Sequence, residues 1–360
     1  MTLEPKQLSG HGRDRMSRSR QVRLTRTAVL VLLVVAVGWR VVASLGGGST
    51  QAGPSPQANH HPVSSASATE TTSPSPGRVR IVATVAPFTL PQALARAVVL
   101  TDGSTLLIAG GETASGSTSL VWRINPANAQ SSVFGHLVRP GHDAAGAAVS
   151  QGFLIFGGGT VGSVNTVQRL GPQGGTATVV GHLPTPRSDL VAATAGSVAY
   201  VLGGYDGSIL QTSVLATSDG RSFRAVAKLP VPVRYPATVV SGGALFLFGG
   251  DRASGPTDVV QEFDPANGSA RVIGHLPVAL GHASALNLKG TVLVAGGRDN
   301  TGALRQIWSF DPVRRTFRAV GRLPTPLSDA TAVVVGPVGY LVGGENTIPV
   351  RSVAELRTRR

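Results

Sequence analysis

The chain of 360 residues is basic, with 32 Lys and Arg against 18 Asp and Glu and a formal charge of +14, and it contains no cysteine. That absence excludes disulfides, thiolate metal sites and a cysteine nucleophile. A hydrophobic share of 42% with 46 glycines and 24 prolines suits a turn-rich all-β protein, and the scattered arginines, without interleaved aromatics, argue against a nucleic-acid partner.

Residues 1–26 form a basic tail in which Arg13, Arg15, Arg18, Arg20, Arg23 and Arg26 precede an apolar segment, Thr27 to Leu45. Its 19 residues approach the roughly 20 that a bilayer span requires, with Arg40 placed to reach the far interface. The basic flank predicts a cytoplasmic N-terminus and a single-pass signal-anchor helix. A cleaved signal peptide is the alternative, with Val41-Val42-Ala43 as the cleavage site and a secreted product. Residues 46–77 are Gly, Ser, Thr, Pro and Ala with almost no bulky apolar side chain, so a disordered linker is expected. His60 and His61 within it read as solvated side chains.

From residue 78 to 356 the chain repeats. Short apolar runs close on glycine pairs beginning at Gly110, Gly157, Gly203, Gly249, Gly296 and Gly343, spaced by 47, 46, 46, 47 and 47 residues. A period this steady is one supersecondary unit copied six times. Each unit reads as a leading loop, often Leu-Pro-x-Pro, then four strands. The first two are continuous apolar runs, as in Thr331 to Val335 and Gly339 to Val342, which predicts burial on both faces. The third unit predicts strands over 190–195, 198–203, 210–216 and 223–227.

After Gly343-Gly344 the chain supplies only one more strand, around Ser352 to Leu356, before its basic end at 357–360. The missing fourth strand is expected from Arg78 to Val85, which matches Arg271 to Leu276, the last strand of an earlier unit. Pairing the two ends would close six sheets into a ring with no exposed edge there. The fold expected is therefore all-β, a six-bladed β-propeller behind an N-terminal anchor and linker.

Six such units, the Gly-Gly strand ends, and the Phe-Asp-Pro turns at 263–265 and 310–312 resemble kelch repeats. The late tryptophan of that family's unit is replaced by Phe223, Phe317, Ala270 or smaller residues, so these are degenerate copies. The resemblance implies a kelch-type propeller. The copper oxidases of the family depend on a cysteine-linked tyrosine, which this chain cannot form.

Local motifs add little chemistry. Gly157 to Gly162 fits the spacing of a dinucleotide loop, but a strand rather than a helix is expected after it, so no cofactor is assigned. His136, His182 and His275 recur in Gly-His-Leu and read as packing or capping. His142 and His282 are read as sharing one repeat position in opposite units, where two histidines would face each other across the channel mouth; no metal is assigned on that basis.

What remains is one face. Loops leading into the units carry Arg96, His142, Asp143, Arg187, Asp189, Arg234, Tyr235, His282 and Asp329. Loops after the glycine pairs carry Glu112, Tyr205, Asp206, Asp251, Arg252, Arg298, Asp299, Asn300 and Glu345. In a four-stranded meander both sets emerge on the same side, and mixed charge on one rim suits a protein or carbohydrate ligand. The expected function is a membrane-tethered, extracytoplasmic binding module. The alternative is an exported sugar mutarotase or epimerase, because six-bladed exported members of the family include a sialic-acid mutarotase. Arg187/Asp189 or Arg298/Asp299 would then be the acid–base pairs.

Overall fold

Continuous apolar strands need partners on both faces, and the chain supplies them by wedging each sheet between two others. The structure, a computed structural model, describes residues 79–359. The expected anchor at 27–45 and the linker at 46–77 lie outside the described residues.

The described chain is all β, with no helix. Six sheets built on four antiparallel strands follow one another, with a short fifth strand on two of them, Gly175–Thr176 in parallel on the first and Gly302–Ala303 on the fifth. Blade 1 runs Val98–Thr101, Leu106–Ala109, Leu120–Asn125 and Gln130–His136. Blade 2 is Ala145–Val149, Gly152–Phe156, Thr166–Leu170 and Thr178–His182, and blade 3 is Val191–Ala195, Val198–Leu202, Ser213–Thr217 and Arg224–Lys228. Blade 4 is Ala237–Ser241, Ala244–Phe248, Val259–Asp264 and Ser269–His275. Blade 5 is Gly281–Leu288, Thr291–Asp299, Gln306–Asp311 and Thr316–Arg322. Blade 6 takes Thr331–Val335, Val338–Val342 and Val350–Arg359 from the C-terminal end and its outer strand, Arg80–Leu94, from the start of the described chain. Ile81 lies opposite Thr358 and Val85 opposite Ala354. The ring closes as the strand count requires.

The packing explains the sequence pattern. Alternate residues of each second strand serve two different cores. Leu106 and Ile108 face blade 6 with Phe88, Leu90 and Tyr340, whereas Leu107 and Ala109 face blade 2 with Phe153 and Ile155. Six such cores fill the six interfaces between blades. A run buried on both faces therefore carries no polar alternation. The innermost strands depart from the expectation. Residues of Val191–Ala195 and Thr331–Val335 are only half-buried, because their unpaired edges line a central cavity of about 390 Å³.

Both glycines of each pair are fixed by close approach. A Cβ on the first would lie 2.1 to 2.7 Å from a backbone carbonyl of the next blade, such as Arg187 O for Gly157 and Val233 O for Gly203. The second glycine donates its N–H to that same carbonyl, at 2.8 to 3.0 Å, in all six blades. One repeated hydrogen bond thus staples every blade to its neighbour.

Candidate functional site at the axial ring

Fourteen residues ahead of each glycine pair stand Arg96, Asp143, Asp189, Tyr235, His282 and Asp329. All six have φ between +52° and +60°. Left-handed backbone costs a residue with a Cβ on the order of 1 kcal/mol, and none of the six positions uses glycine. Each N–H donates to the carbonyl of its counterpart in the preceding blade: Asp143 to Arg96 (3.2 Å), Asp189 to Asp143 (2.9 Å), Tyr235 to Asp189 (2.8 Å), His282 to Tyr235 (3.0 Å), Asp329 to His282 (2.9 Å) and Arg96 to Asp329 (3.0 Å). The six bonds close a hexagon at one end of the cavity, and all six residues line it. Strained backbone kept in every copy, with side chains in place of glycine, marks this ring as the candidate site.

The residue before each ring position pairs with the loop that follows the glycine pair, as in the bridges Ala95 to Glu112, Arg234 to Asp251 and Ser328 to Glu345. The two loop sets therefore meet. Arg96 reaches Glu112 (3.2 Å), Glu345 (3.3 Å), Asp329 (3.5 Å) and Asp143 (3.9 Å). Arg298 reaches Glu345 (3.1 Å) and Asp329 (3.4 Å), and Arg234 reaches Asp189 (3.5 Å). Tyr235 donates its hydroxyl to Asp143 Oδ2 (3.1 Å) and stacks on His282 with ring centroids 3.8 Å apart.

His282 is fully buried at its side chain, with Nδ1 2.6 Å from Asp329 Oδ1 and Nε2 3.1 Å from Asp251 Oδ2. Burial alone would lower its pKa, but the hydrogen bonds to Asp251 and Asp329 outweigh burial and raise it. Each ring nitrogen thus faces a carboxylate oxygen. Arg298 Nη2 also lies 2.9 Å from Nε2, its guanidinium held by Glu345 and Asp329. Asp143 moves the other way. Burial, then the nearby Asp189, push its carboxyl up to about 7 against the pull of Arg96. Burial and the charge of Asp329 likewise raise Glu345.

A family model for the kelch motif matches residues 279–324, which span blade 5. The chain is a six-bladed β-propeller that carries a kelch motif in its fifth blade. Among solved structures, this propeller resembles the one described as "Structure of YjhT", with a TM-score of 0.66 and 14% identity over 76% of this chain and 99% of that one. At that identity the likeness speaks to the fold. No curated protein sequence matches the chain.

Against this geometry the residues predicted for the rim of the kelch propeller divide. Arg96, Glu112, His142, Asp143, Asp189, Arg234, Tyr235, Asp251, His282, Arg298, Asp329 and Glu345 gather around the ring, and Tyr205 lies beside them with the Arg234 guanidinium 5.6 Å from its ring centre. Arg187 does not. It is 1% exposed and donates to the carbonyls of Gly203 and Ser213, and burial lowers its pKa to about 10. It occupies the position that Leu94, Val233, Leu280 and Leu327 fill in other blades, facing the core. Asp206 and Asp299 are spent on their own loops, accepting from the N–H groups of Ser208 and Ile209, and of Thr301 and Gly302. Arg252 sits exposed on a hairpin. Neither Arg187/Asp189 nor Arg298/Asp299 is an ion pair.

The expected equivalence of His142 and His282 is off by one residue. His282 is a ring residue, and the ring residue of blade 2 is Asp143. His142, one position earlier, turns to Ser117 Oγ, 2.7 Å from its Nδ1, and burial lowers its pKa. No group of three or more His, Asp or Glu among the described residues is arranged to hold a metal ion. In the Gly-His-Leu copies the packing falls to the leucines, with Leu137, Leu183 and Leu276 buried and the histidines outside. Ser117, absent from the sequence reading, had its signal in lying on a loop that follows a glycine pair.

The strain at Asp143 is measurable. Its folded-state pKa near 7 lies above the ordinary 3.8, so between those values the folded chain holds the extra proton and stability falls as pH rises. Asp143→Asn removes a group that opposes folding once ionised, and asparagine tolerates left-handed backbone. The variant is expected to be more stable than the parent at pH 8, by up to about 4 kcal/mol, with the gap closing towards pH 4. Denaturant titrations at the two pH values check this; a gap of the same size at both would show that ionisation of Asp143 is not the cause.

Proposed function

We propose that the axial ring and its surrounding loops bind a carbohydrate, with the propeller held outside the cytoplasmic membrane by the apolar segment at 27–45. The observation that carries this reading is the ring itself: six non-glycine residues in strained backbone, among them a tyrosine stacked on a histidine, at the end of a cavity of about 390 Å³. Sugars are recognised by fixed donors and acceptors for their hydroxyls and by aromatic surface for their C–H faces. Arg96, Arg298, Glu112 and Glu345 offer the first, and Tyr235 and Tyr205 the second.

Calorimetric titration of the full chain with a panel of mono- and oligosaccharides tests it. Saturable binding is expected, weakened at least tenfold by Arg298→Ala and by Glu112→Ala, both partly exposed and outside the cores. Binding that ignores both substitutions, or none at all, would end the reading.

One observation favours sugar mutarotation at the same place. Asp143, with its pKa near 7, is poised to exchange a proton at neutral pH. As the acid it would protonate the ring oxygen while a second carboxylate takes the proton of the anomeric hydroxyl; the ring C–O bond opens to the aldehyde and recloses on the other face. Polarimetry of freshly dissolved sugar would separate this from binding alone.

A further inference from the structure

We infer that the chain holds a second ligand pocket, between blades 1 and 2, that takes a short aliphatic carboxylate; this does not rest on the reading of the ring. Sixteen residues ahead of each glycine pair stand Leu94, Gly141, Arg187, Val233, Leu280 and Leu327, whose carbonyls accept the six staples. In five blades the residue at this position is 0 to 6% exposed, and Leu94, Leu280 and Leu327 belong to cores between blades. Blade 2 has Gly141 there. A Cβ on Gly141 would meet nothing closer than Gly159 O at 3.7 Å, and its φ lies outside the left-handed region, so neither crowding nor backbone strain requires glycine. Where the other blades carry a side chain, this one leaves a cavity of about 170 Å³.

Val98, Ala109, Leu137 and Ile155, each 2 to 6% exposed, give this cavity an apolar wall. Its charged lining residues are Arg96 and Arg139, with no Asp or Glu. Arg96 already faces four carboxylates, whereas Arg139 is exposed and makes no ion pair among the described residues. Gln168 supplies a separate observation. It is 6% exposed, and its Oε1 accepts from the N–H groups of Val138 (2.7 Å) and Arg139 (3.3 Å). Gln261, at the matching place in blade 4, accepts from Val231 N–H and also donates from Nε2 to Val231 O (3.0 Å). Gln168 Nε2 donates to no protein group among the described residues and stays accessible in the cavity wall. A carboxylate accepts from an amide N–H and a guanidinium together, and its alkyl chain would cover the apolar wall. An alkylammonium would bring a cation to a lining that holds cations and donors. An aliphatic cavity of about 150 Å³ holds one benzene, so a chain of about five carbons suits this one.

The test is calorimetry on the full chain with pentanoate, acetate, pentanol and pentylamine, repeated on Gly141→Leu and Gln168→Glu. Glutamate keeps the acceptor that Val138 and Arg139 use and removes the donor. Pentanoate is expected to bind about tenfold to fiftyfold more tightly than acetate, the gain of three buried methylenes. Over pentanol and pentylamine the expected preference is at least about tenfold, the worth of a charge-assisted hydrogen bond. Both substitutions are expected to weaken pentanoate at least about tenfold, and Gly141→Leu should do so with its urea midpoint kept or raised. Pentanol or pentylamine binding as tightly as pentanoate overturns the carboxylate assignment, and acetate doing so overturns the apolar wall. Parental binding by Gly141→Leu overturns the location, and no binding of pentanoate overturns the whole inference. Should Gly141→Leu fail to fold, Gln168→Glu decides, and parental binding there overturns the proposal.

Discussion

A chain lacking Arg80–Leu94 is expected to lose its cooperative unfolding transition. This strand pairs with Val350–Arg359, but its contribution extends past that edge. Ile81 enters the core between blades 5 and 6, beside Leu286, Ile307 and Val320. Phe88, Leu90 and Leu94 enter the core between blades 6 and 1, beside Leu106, Ile108 and Ile124. The carbonyl of Leu94 accepts the staple from Gly344. One strand therefore stitches three blades, and its four buried side chains are worth on the order of 10 kcal/mol of burial, as much as the whole net stability of a typical domain. Removal would also expose a long strand edge open to pairing with other chains. The double variant Phe88→Ala, Leu90→Ala is the milder form, expected to lose at least about 5 kcal/mol. Urea titration followed by tryptophan fluorescence reads both. A shortened chain that keeps the parent midpoint would mean that the ring does not depend on this closure.

The second large effect is expected at Gly249. A methyl group there would lie 2.1 Å from Leu280 O and 3.0 Å from Thr257 O, at φ +60°. Backbone atoms cannot swing aside as a side chain does, so blades 4 and 5 must separate or the strand end must turn. Gly249→Ala should cost more than about 4 kcal/mol, the range reserved for mutations that break a packed constraint. Gly243, in the hairpin of the same blade, supplies the control. It too has positive φ, at +83°, but nothing within 4 Å of its missing Cβ. Gly243→Ala should cost only the left-handed backbone term, about 1–2 kcal/mol. Similar losses at the two sites would show that conformational freedom, rather than close approach, accounts for the glycine pairs.

The contrast bears on function. The same αL geometry recurs at the six ring positions, where Arg96, Asp143, Asp189, Tyr235, His282 and Asp329 accept it without glycine. The glycine pairs are spent on holding the blades together. The ring positions hold titratable side chains under a comparable backbone cost, and Asp143 adds an electrostatic cost of its own. Strain retained at one place in all six copies supports the proposal that the ring binds a ligand.

Much of this was open to reading in the residues themselves. The period of the glycine pairs counted the blades, and the shortage of one strand at the C-terminal end, matched by Arg80 to Val85 at the start, indicated how the ring closes. Both inferences rest on local rules, since strand pattern and repeat spacing are properties of contiguous sequence. The face was legible for the same reason: loops before and after a two-strand hairpin must emerge on one side.

Tertiary structure decided which polar residues on those loops meet. Arg187 looks like its charged neighbours in the sequence, yet it falls on the core-facing position that leucine or valine fills in most other blades. Asp206 and Asp299 look like ligand groups and are consumed by their own turns. His142 and His282 differ by one residue in register, which separates a side chain turned to Ser117 from one turned to Asp329 and Asp251. Such distinctions depend on one residue of offset and on partners 25 to 47 positions away. A sequence fixes the order of its side chains along the strand, but only closure of the ring brings the six ring residues within reach of one another and sets their charges against each other.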